Sequence, residues 1–265
     1  MAFAQAQNRR PIEGAVATLG VSDRVTFLRK TYAHLGVALL AFAGICGGMM
    51  KFAPEASWKF ATMFGGSMFG MLGMMLLMMG ALFVANWMVQ HNTSRGIQYG
   101  GLALGIGAYA FMFQPLFWIL MLKFSHYDAH QVASIRAGHM VPVLNGAAAE
   151  ILTQSIVITL AIFVGLTATV FISKKDFSFM RGALAIASFA AIGIILAAMI
   201  FGFSLGGLFA GFMILLMAGY ILYETSTIMR DFPPTMYVAA AMMLFSTVVT
   251  LFWYVLRLLM SLRSD

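Results

Sequence analysis

The chain has 265 residues, of which 62% are hydrophobic and only 9% charged, and this balance is too apolar for a soluble domain of ordinary composition. Several separate stretches contain the about 20 apolar residues that a helix needs to cross a hydrocarbon core of roughly 30 Å, so the composition predicts an integral membrane protein. The formal net charge of +7 does not indicate nucleic-acid binding, because the basic residues lie mainly in an amino-terminal tail and in short loops, where they orient membrane helices.

The predicted elements begin with a polar amino-terminal segment. Residues 1–30 contain five of the 16 Lys and Arg residues but no apolar core followed by a small-residue cleavage site, so we predict a cytoplasmic tail rather than a secretory signal. Seven apolar segments follow, and they predict an all-α polytopic domain over residues 31–260 with seven transmembrane helices. The segments are 31–50, 66–90, 97–122, 146–172, 182–203, 205–229 and 235–260.

The connection between the fifth and sixth segments is very short. Residues 201–207 read FGFSLGG, which offers Gly206 and Gly207 for a turn but contains no charge. Both one kinked helix and two helices fit this pattern. We predict two helices, because the combined apolar length is too great for a single crossing.

The distribution of basic residues predicts the orientation. With seven spans and the amino terminus inside, ten Lys and Arg residues lie on the inner side and six on the outer side. Because cytoplasmic loops carry the excess of Lys and Arg, we predict an amino terminus in the cytoplasm and a carboxyl terminus outside. The one long connection, about 123–145, then lies outside, where it has room for a short surface helix but not for a soluble domain.

Glu224 is the most informative residue of the sixth segment, because a charge at the centre of a membrane helix costs at least about 2.5–3.5 kcal/mol. Such residues usually face a protein interior or a water-filled cavity, although a purely structural carboxylate is the alternative. Tyr220 and Thr227 lie four residues before and three residues after Glu224. They therefore share its helix face and offer two hydroxyl groups to the carboxylate.

The last segment carries a polar stripe of its own. Thr247, Thr250, Tyr254 and Arg257 follow one another at spacings of 3, 4 and 3, which places them on one helix face. The short connection at 231–235 makes the last two helices antiparallel neighbours. At 1.5 Å per residue, Glu224 and Thr247 then lie at similar depths, so they can meet directly or through water.

Arg257 lies too far along its helix to be the direct partner of Glu224. The other candidate is Glu150, near the start of the fourth apolar segment, which would lie toward the same outer face. We predict a structural ion pair between Glu150 and Arg257.

Other patterns suggest metal chemistry, but the structural interpretation is favoured in each case. The methionine-rich stretch 68–80 would suit Cu(I), yet methionine is also a flexible apolar filler. His126 and His130 have the spacing of zinc ligands, with Asp128 and His139 nearby, but a solvated loop is the favoured interpretation. The sequence shows no nucleophile paired with a base, so we expect no catalytic residue, no metal site, no cofactor and no enzyme activity.

Three stretches resemble the bacterial branch of the Bax inhibitor-1 family. They are VFISKKDFSFMRG (170–182), LYETSTIM (222–229) and LFSTVVTLFWYVLRLL (244–259). The fourth helix of the family ends in a Lys-Lys-Asp-Phe-Ser run, matched by residues 174–178, and the sixth carries Leu-Tyr-Asp-Thr, matched by 222–225 except that Glu224 replaces the aspartate. On the last helix, Thr247 stands where the family has an aspartate. The resemblance covers about 142–260, and the earlier helices by hydropathy alone.

This resemblance implies a seven-helix bundle with one central helix, which supports a pH-sensitive calcium leak through paired aspartates on the last two helices. Two carboxyl groups in contact cannot both ionise cheaply, so they share a proton and respond to pH. The present chain keeps only one acid of the pair. Thr247 can hydrogen-bond Glu224 but cannot share its charge, which weakens the ligand set for calcium.

The resemblance implies an inner-membrane protein embedded in the lipid bilayer, and we expect a pH-responsive cation leak. Glu224 would be the sensing carboxylate, accompanied by Tyr220, Thr227, Thr247 and Thr250, and calcium would be the transported or bound ion. The alternative is a non-conducting protein that modulates a membrane protease or another membrane complex. The loss of the second acid at Thr247 favours this alternative.

Overall fold

Nine α-helices make up most of the part of the chain that the computed structural model describes, which comprises residues 14–18, 20–63, 68–91, 94–125, 127–137, 139, 142–173 and 175–264. The helices are α1 (Val21–Phe52), α2 (Pro54–Met63), α3 (Met68–His91), α4 (Arg95–Phe124), α5 (Ala129–Arg136), α6 (Gly146–Ser173), α7 (Arg181–Phe201), α8 (Gly207–Asp231) and α9 (Tyr237–Leu262). Single turns of 3-10 helix lie at Val16–Thr18 and Ser178–Met180.

Seven helices of this described part, all except α2 and α5, are long and apolar enough to cross a membrane. This confirms the predicted all-α, polytopic membrane fold with seven spans. The first helix begins at Val21, ten residues before the first apolar segment, because hydropathy detects the membrane crossing and not the end of the helix. At 1.5 Å per residue α1 is about 48 Å long, more than the hydrocarbon core requires. Residues 1–13 and 19 of the predicted tail lie outside the described residues, and the division at residue 30 stays a prediction.

The breaks between helices follow from local backbone chemistry. Pro54 is the first residue of α2, a position that tolerates proline, and it disfavours helical backbone at the residue before it. α7 ends at Gly202, whose φ of 73° is the left-handed conformation and whose N–H donates to the carbonyl oxygen of Ala198 at 2.9 Å. The prediction of two helices is thus confirmed. The left-handed turn uses Gly202 rather than Gly206 or Gly207, and Gly206 has extended backbone just before α8.

Residues 37–154 form one of two structural units. Within it α3 and α4 pack closely at Gly101, where an added Cβ would lie 2.8 Å from both the carbonyl oxygen of Ala85 and Cβ of Met88. The short helix α2 is joined to α4 by the buried hydroxyl of Ser57, which donates to Oε1 of Gln114 at 2.7 Å and accepts from Nε1 of Trp118 at 2.8 Å. These contacts tie a short helix to a membrane-spanning one.

The long connection, which has room for a short helix, contains one, α5. Asp128 caps its first turn: Oδ1 accepts from the backbone N–H of Gln131 at 2.7 Å, and Oε1 of Gln131 accepts from the N–H of Asp128 at 3.0 Å. This reciprocal arrangement satisfies two backbone donors at the start of the helix. The hydroxyl of Tyr127 also bonds both the N–H and the carbonyl of Val143, which holds together the two ends of the connection.

Residues 1–36 and 155–265 form the other unit. Its core helix is α9, because 72% of its most apolar window is buried, against 39% for α8. The two helices pack together as the antiparallel neighbours that the sequence predicts. α7 approaches α8 at Gly219, where an added Cβ would lie 2.8 Å from Cδ2 of Leu184. The N–H of Val16 donates to the carbonyl oxygen of Phe232 at 3.1 Å, so the amino-terminal 3-10 turn contacts the connection between α8 and α9.

Candidate functional site

The candidate site lies where α8 meets α9, at Glu224 and Thr247, which we call the carboxyl site. The hydroxyl of Thr247 donates to Oε1 of Glu224 at 2.8 Å. Both side chains are buried, and Glu224 is only 8% exposed. The contact expected from the depths of the two residues is therefore formed directly, while its role in sensing stays a prediction.

The second carboxyl oxygen of Glu224 distinguishes this site from a structural carboxylate whose oxygens are both hydrogen-bonded. Among the described residues, Oε2 is buried without a hydrogen-bond partner, and no ion pair reaches Glu224. An unpaired buried charge is costly, and a carboxylate bound to a single hydroxyl has most of its lone pairs free. The geometry therefore suits an occupant at Oε2, either a proton or a cation.

Of the three further residues of the predicted site, two have other hydrogen-bond partners and one has none among the described residues. The hydroxyl of Tyr220 lies 2.9 Å from Oγ of Ser188 on α7, and Thr250 donates to the carbonyl oxygen of Ser246 in its own helix at 2.7 Å. The hydroxyl of Thr227 is buried and has no hydrogen-bond partner in the described part of the chain. Sharing a helix face with Glu224 or Thr247 does not bring these hydroxyl groups into hydrogen bonds with the carboxylate.

The predicted ion pair between Glu150 and Arg257 joins residues of different units and stays a prediction. Within its own unit, Arg257 donates from Nη2 to the carbonyl oxygen of Leu205 at 3.3 Å. This bond satisfies a backbone acceptor in the connection between α7 and α8. The guanidinium group thus supports a turn, a role that the sequence does not indicate.

A second buried carboxylate was not predicted as a site. Oδ1 of Asp176, in the connection between α6 and α7, accepts from the N–H of Ser178 at 2.9 Å and from the hydroxyl of Ser226 at 3.5 Å. Its Oδ2 lies 3.4 Å from Nη2 of Arg230, an ionic contact without hydrogen-bond geometry, since the same oxygen has no hydrogen-bond partner. Ser226 in turn accepts from the N–H of Phe177 at 3.2 Å. We call Asp176, Ser226 and Arg230 the loop clamp.

The spacing of residues in the sequence is consistent with the loop clamp. Ser226 and Arg230 are four residues apart and share a face of α8, and Asp176 directly follows an apolar segment. Asp176 also belongs to the Lys-Lys-Asp-Phe-Ser run at 174–178, of which Lys174 lies outside the described residues.

No group of three His, Cys, Asp or Glu residues that could hold a metal ion occurs among the described residues. His126, one of the four residues considered for zinc, lies outside them. The other three belong to the connection that contains α5, where Asp128 is engaged as a helix cap.

Comparison with known proteins places these features in a family. Residues 102–264 match the family model described as Bax1-I, Inhibitor of apoptosis-promoting Bax1. Bax inhibitor 1 of Schizosaccharomyces pombe is 34% identical over 122 residues, which cover 44% of this chain and 45% of that protein. An uncharacterized membrane protein of Vibrio cholerae is 33% identical over 135 residues, which cover 47% of this chain and 58% of that protein.

Protein lifeguard 4 of Mus musculus is 32% identical over 107 residues, covering 40% of this chain and 45% of that protein. The chain thus spans about half the length of the curated relatives it matches. No solved structure gives a significant match. Because the family model covers more than half of the chain, including both the carboxyl site and the loop clamp, this protein belongs to the Bax inhibitor family.

Proposed function

We propose that the protein is a pH-responsive cation leak in the bacterial inner membrane, with its amino terminus in the cytoplasm and with Glu224 as the group that binds the proton or the cation. The observation that carries this proposal is the buried Oε2 of Glu224, which has no partner within the described residues while Oε1 accepts from Thr247. A carboxyl oxygen without a partner in a membrane-spanning helix is typical of a transport path. Protonation would then switch the site between a neutral acid and a cation-binding carboxylate.

Calcium is a transported ion in this proposal and not a resident one. A stable calcium site uses 6–8 oxygen ligands, whereas the carboxyl site supplies the two oxygens of Glu224 and one hydroxyl from Thr247. Such a site binds a cation weakly, which suits passage rather than storage. We infer accordingly that the protein acts without a cofactor and without covalent catalysis.

A flux measurement on purified protein in liposomes tests this proposal. Calcium and proton flux should depend on pH in the wild type, and Glu224→Gln, which mimics the protonated acid, should abolish that dependence. Thr247→Asp should restore a pair of acids and strengthen calcium binding. Thr250→Ala is the matched control, because Thr250 bonds its own backbone. A pH response that persists in Glu224→Gln, together with unchanged calcium affinity in Thr247→Asp, would show that the carboxylate is structural.

A second candidate function is that of a non-conducting membrane protein. It is supported by Thr247, which stands where the family has the aspartate of the last helix. A protein without the acid pair would not conduct, and would modulate a membrane protease or another membrane complex by binding it. In that case the liposomes would show no flux above protein-free controls. Crosslinking in intact membranes followed by purification would then recover a defined partner.

A further inference from the structure

The threonines of α6 fall into two groups that differ in how their hydroxyl groups are satisfied. Thr153 and Thr169 are exposed on the helix surface and donate to the carbonyl oxygens four residues earlier, Ala149 at 2.9 Å and Gly165 at 2.8 Å. This bond to the preceding turn is the usual solution for a threonine in a membrane helix, because lipid offers no other acceptor.

In the unit formed by residues 1–36 and 155–265, several threonines with buried hydroxyl groups do not use this solution. Five of them have hydroxyl groups without a hydrogen-bond partner in the described structure, namely Thr31, Thr159, Thr167, Thr225 and Thr227. Thr167 is 7% exposed and Thr225 is 1% exposed. A buried hydroxyl without a partner is destabilising, so repeated cases within one unit indicate that something supplies the missing bonds.

Two of these hydroxyl groups face a third one. The ring of Tyr32 on α1 packs against Phe163 and Phe171, with ring centroids 6.4 and 6.2 Å apart. These two aromatic residues lie one helical turn before and one turn after Thr167, on the same face of α6. The tyrosine hydroxyl is close enough to Thr167 and to Thr225 of α8 to interact with both. Neither threonine, however, reaches hydrogen-bond geometry.

We propose that the hydroxyl groups of Tyr32, Thr167 and Thr225 hold an ordered water molecule between α1, α6 and α8. A buried water typically makes about three hydrogen bonds, and the hydroxyl groups of Tyr32 and of the two threonines beside it supply that number. Buried polar groups that lie near each other without a direct hydrogen bond are a usual setting for a bridging water. The three groups are neutral oxygen ligands, so the site selects water rather than a divalent cation.

The position of this water gives it a use. Thr167 lies six residues before the end of α6 and Thr225 six residues before the end of α8, which places each about 9 Å from the carboxyl end of its helix. Thr225 is also the direct neighbour of Glu224 in sequence. The water would therefore lie on the route by which protons from this end of α8 reach the carboxyl site. This use rests on the proposed function, whereas the water site does not.

Radiolytic hydroxyl-radical footprinting of the purified full-length protein tests the water site, because ordered water within a protein generates radicals that modify adjacent side chains. Modification of Tyr32, read by mass spectrometry, should be clear in the wild type. Loss of one of its three ligands in Thr167→Val should lower it by at least about threefold. Thr169→Val is the matched control and should leave it unchanged, since Thr169 bonds its own backbone. Thermal stability should be measured for both variants.

If Tyr32 is unmodified, or if both variants lower its modification equally, the three hydroxyl groups do not hold water and the proposal is wrong. A second measurement covers the case in which Thr167→Val does not fold. Thr225→Val removes a different hydroxyl group of the three and should lower the modification of Tyr32 to a similar extent, since each variant deletes one ligand of the same water. Unchanged modification of Tyr32 in a folded Thr225→Val variant would overturn the proposal.

The outcomes separate this inference from the proposed function. Modification of Tyr32 without pH-dependent flux would leave the water site in place and remove its transport role. Flux without modification of Tyr32 would show that Glu224 is reached by another route, which would overturn the inference and leave the cation leak standing.

Discussion

Breaking the ion pair between Asp176 and Arg230 should destabilise the protein. The loss should be larger when the arginine is replaced than when the aspartate is replaced. The side chain of Asp176 is 1% exposed, whereas that of Arg230 is 21% exposed, at an N–O distance of 3.4 Å. Removing the partner of a fully buried charge costs about 3–5 kcal/mol. A guanidinium at the edge of the protein can instead turn toward water on its long side chain.

Arg230→Gln should therefore lower the free energy of unfolding by about 3 kcal/mol, because it leaves the buried carboxylate of Asp176 without an ionic partner. Asp176→Asn should cost less, about 1–2 kcal/mol, since the amide oxygen can still accept from the N–H of Ser178 and the freed arginine can hydrate. The double variant should cost less than the sum of the two, because the second substitution has no ion pair left to break.

Equilibrium unfolding in mixed detergent micelles, followed by circular dichroism, gives the three free energies. Ser246→Ala serves as a control, because its hydroxyl bonds a carbonyl within its own helix and should contribute little. Strictly additive losses, or a larger loss for Asp176→Asn than for Arg230→Gln, would refute the argument that a buried and unequally exposed ion pair holds the connection to α8.

The other predictions concern residues 37–154. Gly101→Ala should destabilise the packing of α3 against α4 by about 1–3 kcal/mol, because the added Cβ meets backbone at 2.8 Å, whereas Gly107→Ala, with nothing within 4 Å, should be neutral or stabilising in a thermal-shift assay. Ser57→Ala leaves two buried polar groups unpaired and should cost about 2 kcal/mol or more by unfolding. The hydrogen bond from Lys59 holds the pKa of Glu55 below its usual range, so the contact is present at neutral pH and is lost as pH falls through that lowered pKa. Because the pair is fully exposed, Glu55→Gln should leave the melting temperature at pH 7 unchanged, and a clear drop would show that the contact is structural.

The spans and the carboxyl site were predictable for the same reason, which is that lipid penalises polar groups along the whole length of a helix. An apolar run of sufficient length therefore predicts a crossing, and an acid within such a run predicts a partner. Antiparallel geometry across a short connection then placed Thr247 at the depth of Glu224. Each of these steps uses only the rise per residue and the cost of burying charge.

The contacts of Tyr220 and Arg257 could not be predicted in this way. A helix position fixes the direction of a side chain but not the neighbouring helix that meets it. Tyr220 is four residues from Glu224, yet its hydroxyl meets Ser188 of α7. Arg257 donates to a backbone carbonyl in a connection. Every residue has such a carbonyl, so the sequence does not indicate which one an arginine will bond. The clamp at Asp176 joins residues 50 positions apart, a pairing that only the packed structure determines.

Residues Glu224, Thr225 and Ser226 link these observations, because successive residues of an α-helix point about 100° apart. Glu224 contacts Thr247 of α9, Thr225 faces Tyr32 of α1, and Ser226 bonds Asp176 in the connection before α7. All three side chains are buried, so at this level α8 is surrounded by protein and is polar on three sides. The polar run therefore makes α8 sensitive to rotation: a turn of the helix that freed Glu224 from Thr247 would strain the contacts of Thr225 and Ser226 as well. If Glu224 binds a proton or a cation as proposed, its occupancy would be coupled through α8 to the attachment of the connection before α7.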